Sequence, residues 1–235
     1  PEQASWLSEE EKALHHDLMT RDKASQDPEA GNAHSGEAIF SALVDPRVYV
    51  LAFLYFSSAL GTYAFNFWLP TMIQKLGVVS ITHISLYAMI PFSCAALGMI
   101  VVGRSSDLRR ERRFHYCISI LFGAAMLSLS TLSNTLGLSL ALLSGAAFGF
   151  SGAIIVCWAI PATYLKGKSA PAGIALVSSL GSLCGFAAPS IIGLAREVTG
   201  KDHAGMFAIS LIMVVAAVAM LTLMPKHALT VGKPE

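Results

Sequence analysis

The sequence predicts an all-α polytopic membrane protein of six transmembrane helices, and three observations carry that prediction. Six apolar stretches, at 48–69, 81–103, 114–133, 136–160, 172–195 and 204–224, contain no Asp, Glu, Lys or Arg. A bilayer core about 30 Å thick needs about 20 apolar residues at helical rise, so each stretch is long enough to span alone. Second, the chain is 54% hydrophobic and only 13% charged, with mean hydropathy +0.60. A soluble domain carries nearer 25% charged residues. Third, the stretches are apolar nearly all round, where a helix on a soluble core shows a polar face. Strands of a membrane barrel would alternate in segments of about 10 residues, a pattern absent here.

Residues 1–46 form a charged lead-in to the bundle at 47–225, and 226–235 form a short tail. Within the lead-in, Ser8 and Glu11 have the spacing of a capping box, in which hydroxyl and carboxylate satisfy each other's backbone N–H. Leu7, Ala13, Leu14 and Leu18 are spaced for a short amphipathic helix reaching about Arg21. It either stands in solvent as a linker helix or lies against the membrane or the bundle's cytoplasmic face. The polar run 24–38 reads as a flexible linker. Because the chain opens at Pro1 on this lead-in, the expectation is a segment of a longer chain.

Spans two and three are separated by the basic run 104–113, and spans three and four by Asn134 and Thr135 alone, a tight hairpin. Gly145 with Gly149, and Gly181 with Gly185, have the small-xxx-small spacing that lets helix backbones approach in lipid. Pro91, Pro161 and Pro189 fall in or at the ends of spans, where proline kinks helices. Both tails fall on one side of six spans. That side holds 13 of the 16 basic residues, including Arg104, Arg109, Arg110, Arg112 and Arg113; the other holds Lys75, Arg196 and Lys201. By the positive-inside rule both tails are cytoplasmic.

Cys94, Cys117, Cys157 and Cys184 sit in four different spans with no CxxC spacing, so they read as free thiols packed as small hydrophobes. His15 and His16 lack ligand spacing for a metal. No triad, carboxylate pair or phosphate-cradling glycine loop is present. The expectation is a protein that is not an enzyme and carries no cofactor or metal. The one dense basic run is a membrane-side loop, so no nucleic-acid partner is expected.

The run Gly103-Arg104-Ser105-Ser106-Asp107-Leu108-Arg109-Arg110-Glu111-Arg112-Arg113 resembles the loop signature of the major facilitator superfamily. That signature has a glycine, an aspartate four residues on, then clustered basic residues; its second glycine is here Arg or Glu. Four further segments resemble the anion:cation symporter branch of the superfamily. Trp6-Leu7-Ser8-Glu9-Glu10-Glu11-Lys12 is similar to its central cytoplasmic loop. Phe67-Trp68-Leu69-Pro70-Thr71 is similar to the end of its seventh helix, and Trp158-Ala159-Ile160-Pro161 to the end of its tenth. The run from Ala172 through Ser182, with Gly185, Phe186 and Pro189, is similar to its eleventh. The resemblance covers nearly the whole chain and implies the C-terminal half of a twelve-helix fold, with the N-terminal six-helix half as its partner. It implies a proton-coupled (or other cation-coupled) symporter of small organic anions such as tartrate, sugar acids or aromatic acids. Family habit places it in a bacterial inner membrane. A self-sufficient six-span homodimeric carrier, or a non-transporting membrane scaffold or inert fragment, is the alternative.

Charges inside a membrane mark ion and substrate pathways. These spans have none, so the titrating carboxylate and the cation that meets the anion are expected in the partner half. What this half offers is neutral. Tyr63 and Asn66, three apart on one helical face, either bond a substrate carboxylate or hydroxyl or bridge to a neighbouring helix. Tyr87 has the same two readings. Trp68 and Trp158, near span ends, read as interfacial anchors. By the resemblance Ser178 and Ser182 occupy positions usually Asn in the family, which implies a roomier pocket with fewer donors. The resemblance also makes Gly103, Asp107, Arg109 and Arg112 a gate latch, in which Asp107 pairs with a neighbouring arginine or faces a helix N-terminus; otherwise the arginines only hold the loop in the cytoplasm.

Overall fold

The computed structural model of the chain describes residues 8–25, 40, 43–165, 170–201 and 203–224. Trp6, Leu7, most of the 24–38 linker, Lys166, Lys168 and the 226–235 tail lie outside the described residues. The helices are α1 (Glu9–Ser25), α2 (Pro46–Lys75), α3 (Ile81–Arg109), α4 (Arg113–Ser130), α5 (Leu136–Tyr164), α6 (Ala170–Ser182), α7 (Cys184–Thr199) and α8 (Ala204–Leu223). Among the described residues six spans are long and apolar enough to cross a bilayer, α6 and α7 together making the fifth.

The capping box forms as its spacing predicts. Glu11 Oε2 accepts from the Ser8 backbone N–H at 2.9 Å and from its hydroxyl at 3.0 Å, while Ser8 Oγ accepts from Glu11 N at 3.3 Å. These bonds, the Ser8 N–H foremost, hold the Glu11 carboxyl below its ordinary pKa. The helix runs to Ser25, four residues beyond the expected end, and Leu14 and Leu18 are exposed along it.

Span boundaries move where side-chain chemistry overrides hydropathy. α3 does not stop at Gly103 but continues through Asp107 to Arg109, ending where Arg110 turns left-handed at φ 50°. Nothing in 104–109 breaks a helix, and long arginine side chains let it run on into the polar interface. The supposed loop is therefore mostly the last turns of a helix. α4 ends at Ser130, three residues early. There the Ser130 and Thr131 hydroxyls donate to the Leu127 and Ser128 carbonyls at 2.7 Å, and the chain tightens into i−3 bonds. Five residues, 131–135, make the hairpin where two were expected.

In the bundle α5 lies between α3 and α4, and α2 between α6–α7 and α8. The α2–α5 and α4–α8 contacts join these two sets. Exchanging α2–α3–α4 with α5–(α6–α7)–α8 maps α3–α5 onto α2–α6 and α4–α5 onto α2–α8, so the packing is a pseudo-symmetric pair of three-helix units. Lipid is as apolar as leucine, so helices associate here through close packing and interhelical hydrogen bonds. A β-carbon at Gly98 would collide with the Phe148 backbone, and one at Gly149 with the backbone of Gly123 and Ser119. Gly149 thus does what its spacing predicts. Gly145 faces the Met126 side chain instead.

Some of the buried polar side chains in the spans are neutral and bonded across helices. Tyr116, fully buried on α4, donates to the Leu54 carbonyl of α2 at 2.9 Å and lies 3.1 Å from Ser58 Oγ. Ser128 donates to Ser210 at 2.9 Å between α4 and α8. Tyr116→Phe should cost about 0.6 kcal/mol, the usual worth of an interhelical hydrogen bond in a bilayer. Thermal unfolding in nanodiscs checks this, and a loss of several kcal/mol would mean Tyr116 holds more than its two partners. The four cysteines are free; three are buried and Cys94 is half-buried.

Candidate substrate face and loop latch

At the α3–α4 junction, Arg112 reaches Asp107 with Nη2 3.7 Å from Oδ1. The arginine side chain is 12% exposed and the aspartate 71%, so the pair is a loose one at the rim. Arg112 Nε and Nη1 are buried without an acceptor among the described residues. Arg113 donates to the Leu221 carbonyl in the last turn of α8, where helix carbonyls lack intrahelical partners. Arg109 is exposed in the last turn of α3, where its charge complements the helix dipole. Gly103 has room for a methyl, since a β-carbon there meets Ile155 at an ordinary 3.6 Å.

A second set of contacts at this junction escapes a reading by spacing. Glu111 caps α4, accepting from Phe114 N at 2.8 Å and His115 N at 3.3 Å, and from His115 Nδ1 at 2.9 Å. The other ring nitrogen, Nε2, lies 3.0 Å from Ser105 Oγ on α3. Partial burial pushes the Glu111 carboxyl upward, but the bonds from Phe114 and His115 outweigh it and hold it below the ordinary value. A depressed carboxyl stabilises the fold above its unfolded pKa and loses that contribution as pH falls through its folded value. Glu111→Gln should therefore lower the melting temperature at pH 7 but not at pH 3. Equal shifts at both values would contradict the assignment.

The open face of the bundle lies where α2 meets α6–α7. Tyr63 is 43% exposed and Asn66 is exposed on this helix, between the buried Ala64–Phe65 pair and Leu69. Across from them the span breaks at Leu183, between α6 and α7. Ser182 Oγ donates to the Ser178 carbonyl at 2.7 Å, so its proton is committed to the backbone and its lone pairs remain. Ser178 is half-buried and Ser182 exposed. Pro189, which has no N–H to return to Gly185, weakens the ladder just beyond.

Gly181 and Gly185 do not bring two backbones together, as their spacing suggests. They make room for aromatic rings. The Tyr55 ring occupies the space a Gly181 side chain would need, and Tyr63 Cε1 lies 3.5 Å from where a Gly185 β-carbon would stand. Tyr55 also meets Trp158 of α5 edge-to-face, centroids 4.7 Å apart. Trp158 is thus a wall of this face and not only an anchor. Tyr55 is eight residues before Tyr63, two helical turns, and that spacing is the signal by which the sequence could have found it. Tyr87 stands apart on α3, half-buried, on a helix whose chief neighbour is α5. Trp68 takes the Lys75 ammonium over its ring at 5.3 Å.

The arrangement offers hydroxyls, an amide and aromatic edges, with no Asp, Glu, Lys or Arg in the six apolar stretches. Comparison with known proteins adds the family. Residues 22–234 match the model of the Major Facilitator Superfamily. The chain is 36% identical over 208 residues to "Putative metabolite transport protein NicT" of Pseudomonas putida, covering 88% of this chain and 46% of that protein. It is 34% identical to the "Quinolone resistance transporter" of Acinetobacter baumannii, covering 90% of this chain and 48% of that one. To a "Putative tartrate transporter" of Agrobacterium vitis it is 32% identical, covering 95% and 50%. The chain spans about half the length of the curated relatives it matches.

Proposed function

The chain belongs to the major facilitator superfamily, and from that premise we propose that it supplies one six-helix bundle of a secondary active transporter for small organic anions. The second bundle is a separate six-helix half, and the anion binds between the two near the midplane and crosses by alternating access. The observation that carries this reading is the Tyr55–Trp158–Gly181 and Tyr63–Gly185 face, an aromatic and hydroxyl-bearing wall open on one side. α3 and α6–α7, the spans least buried in the bundle, flank the route along which a second bundle would close it.

Tyr63, Asn66 and Ser178 donate hydrogen bonds to carboxylate or hydroxyl oxygens, Ser182 accepts, and Tyr55 and Trp158 pack the apolar body. With only neutral groups here, the cation that meets the anion and the carboxyl that carries the coupling proton belong to the other bundle. Tyr87 joins the wall only when the bundles rock. Asp107 with Arg112, beside Gly103 and Arg109, latches the cytoplasmic end. An exposed ion pair is worth at most about 1 kcal/mol. Asp107→Asn should therefore alter transport rate with little change in melting. Both ends are cytoplasmic by the distribution of basic residues, and family habit, not that distribution, places the chain in a bacterial inner membrane. The anion:cation symporter resemblance and the tartrate in one relative's name favour a carboxylate cargo.

The test is uptake of radiolabelled tartrate, gluconate and benzoate by cells expressing a twelve-helix transporter that carries this half. Uptake that collapses with a protonophore supports proton coupling; uptake indifferent to it contradicts it. Ser178→Asn with Ser182→Asn should shift preference toward the polyhydroxylated gluconate. An unchanged order would remove those serines from the site.

A further inference from the structure

A cavity lies at the end of the bundle opposite the 104–113 run, away from the proposed substrate face. It holds about 310 Å³ between the end of α2, the 131–135 turn, the first turn of α5 and the start of α8. Such a volume suits a small ligand. Its polar wall carries Lys75, Asn134, Ser139 and His203, and its apolar wall Trp68, Met72 and Leu76; none of the described residues lining it is acidic.

Ser139 gives the cavity its meaning. The residue is 1% exposed, and its Oγ has no hydrogen-bond partner among the described residues. Several buried hydroxyls in these spans settle on a carbonyl one turn back, as Ser144 does on Leu140 at 2.7 Å. An unpartnered buried donor costs stability, so its persistence needs a reason. Thr131 and Ser133, on the same wall, have their protons committed to the Ser128 and Thr135 carbonyls. Two helices also begin at this wall, α5 after Thr135 and α8 after His203, and neither has a side-chain cap. Their first-turn N–H groups and dipoles favour negative charge here. Lys75, held over Trp68, supplies a formal positive charge at the mouth.

We infer that this cavity is an anion site within the single bundle, taking a carboxylate on a small apolar body. The Ser139 hydroxyl and Lys75 ammonium bind the anionic group, and Trp68, Met72 and Leu76 cover the body. The site needs no second bundle, so it stands or falls apart from the transport reading. A phospholipid headgroup presents the same anionic chemistry, and the experiment separates the two sources.

The whole chain is placed in phosphatidylcholine nanodiscs and titrated calorimetrically with benzoate, and melting is followed without ligand. Saturable binding is expected, weakened at least about tenfold by Lys75→Gln, the scale of a charge-assisted hydrogen bond. Ser139→Ala should weaken binding about fivefold and yet raise the melting temperature of the ligand-free chain, because it removes an unpartnered buried hydroxyl. That opposition separates a binding role from a structural one. Repeating the titration with phosphatidylglycerol present assigns the source. Unchanged affinity supports a soluble carboxylate, and competitive loss supports a headgroup in the same site. No saturable binding by the unsubstituted chain, or binding indifferent to both substitutions, overturns the proposal.

Discussion

Replacing Gly149 with leucine should unfold the bundle at temperatures where the unsubstituted chain is intact. A β-carbon at this position would stand 2.6 Å from Gly123 N and 2.7 Å from both Gly123 Cα and Ser119 O. All three are backbone atoms of α4, so no rotamer change relieves the clash. The helices must separate, and that costs the dispersion contacts along their whole seam. Overpacking a core with side-chain clashes costs about 1–3 kcal/mol; forcing two backbones apart belongs at or above the top of that range. Against a total stability of about 5–15 kcal/mol, the loss is large. Melting followed by size-exclusion chromatography in detergent measures it. Gly193→Ala, where a β-carbon meets nothing within 4 Å, is the matched control. A Gly149→Leu chain that melts like the control would show that α4 and α5 do not approach as described.

The second large effect is on transport. Gly181→Leu takes the space filled by the Tyr55 ring, whose Cε1 lies 2.6 Å and Cγ 3.0 Å from the new β-carbon. Here the obstacle is a half-buried side chain on the open face, and it can swing away. The bundle should stay folded, but Tyr55 leaves Trp158 and the wall of the proposed site is displaced. A displacement of about 1 Å in a binding constellation costs on the order of 10²-fold in rate. In a twelve-helix transporter carrying this half, anion uptake should fall by about that factor while melting shifts by only a few degrees. Tyr55→Phe keeps the ring and should keep most of the activity. Full uptake by Gly181→Leu would remove Tyr55 and Trp158 from the pathway.

These two glycines show where the sequence is legible and where it stops. Six spans could be read because length and the absence of charge are sufficient evidence for a span in lipid. The capping box at Ser8 and Glu11 could be read because both partners lie within one turn. The small-xxx-small spacings at Gly145/Gly149 and Gly181/Gly185 look alike, yet Gly149 meets backbone and Gly181 meets an aromatic ring. What faces a glycine is decided by the partner helix, which spacing on one helix does not contain. For the same reason Gly98 and Gly123, which carry the α3–α5 and α4–α5 approaches, gave no signal. The end of α3 was misplaced because hydropathy marks where apolar residues stop, whereas a helix continues until its backbone is broken. Ser139 was hidden altogether, since an unsatisfied hydroxyl is a property of its surroundings.

Of the candidate site, Tyr63 and Asn66 stand on the open face as their shared helical side suggests, and Ser178 and Ser182 lie across from it. Tyr55 was overlooked although it shares the face of Tyr63 two turns away. Absence of charge in the spans was fully legible, and it is the feature on which the division of labour between two bundles rests.

That division is tested most directly by transport from purified components. The chain is reconstituted in proteoliposomes, alone and together with a separately expressed six-helix N-terminal half from a full-length relative. An inward proton gradient is imposed and uptake of radiolabelled tartrate and benzoate is followed. The account predicts no gradient-dependent uptake by the chain alone and uptake when both halves are present. Gradient-driven uptake by the chain alone would contradict it, because six helices without an intramembrane charge would then suffice to couple proton and anion.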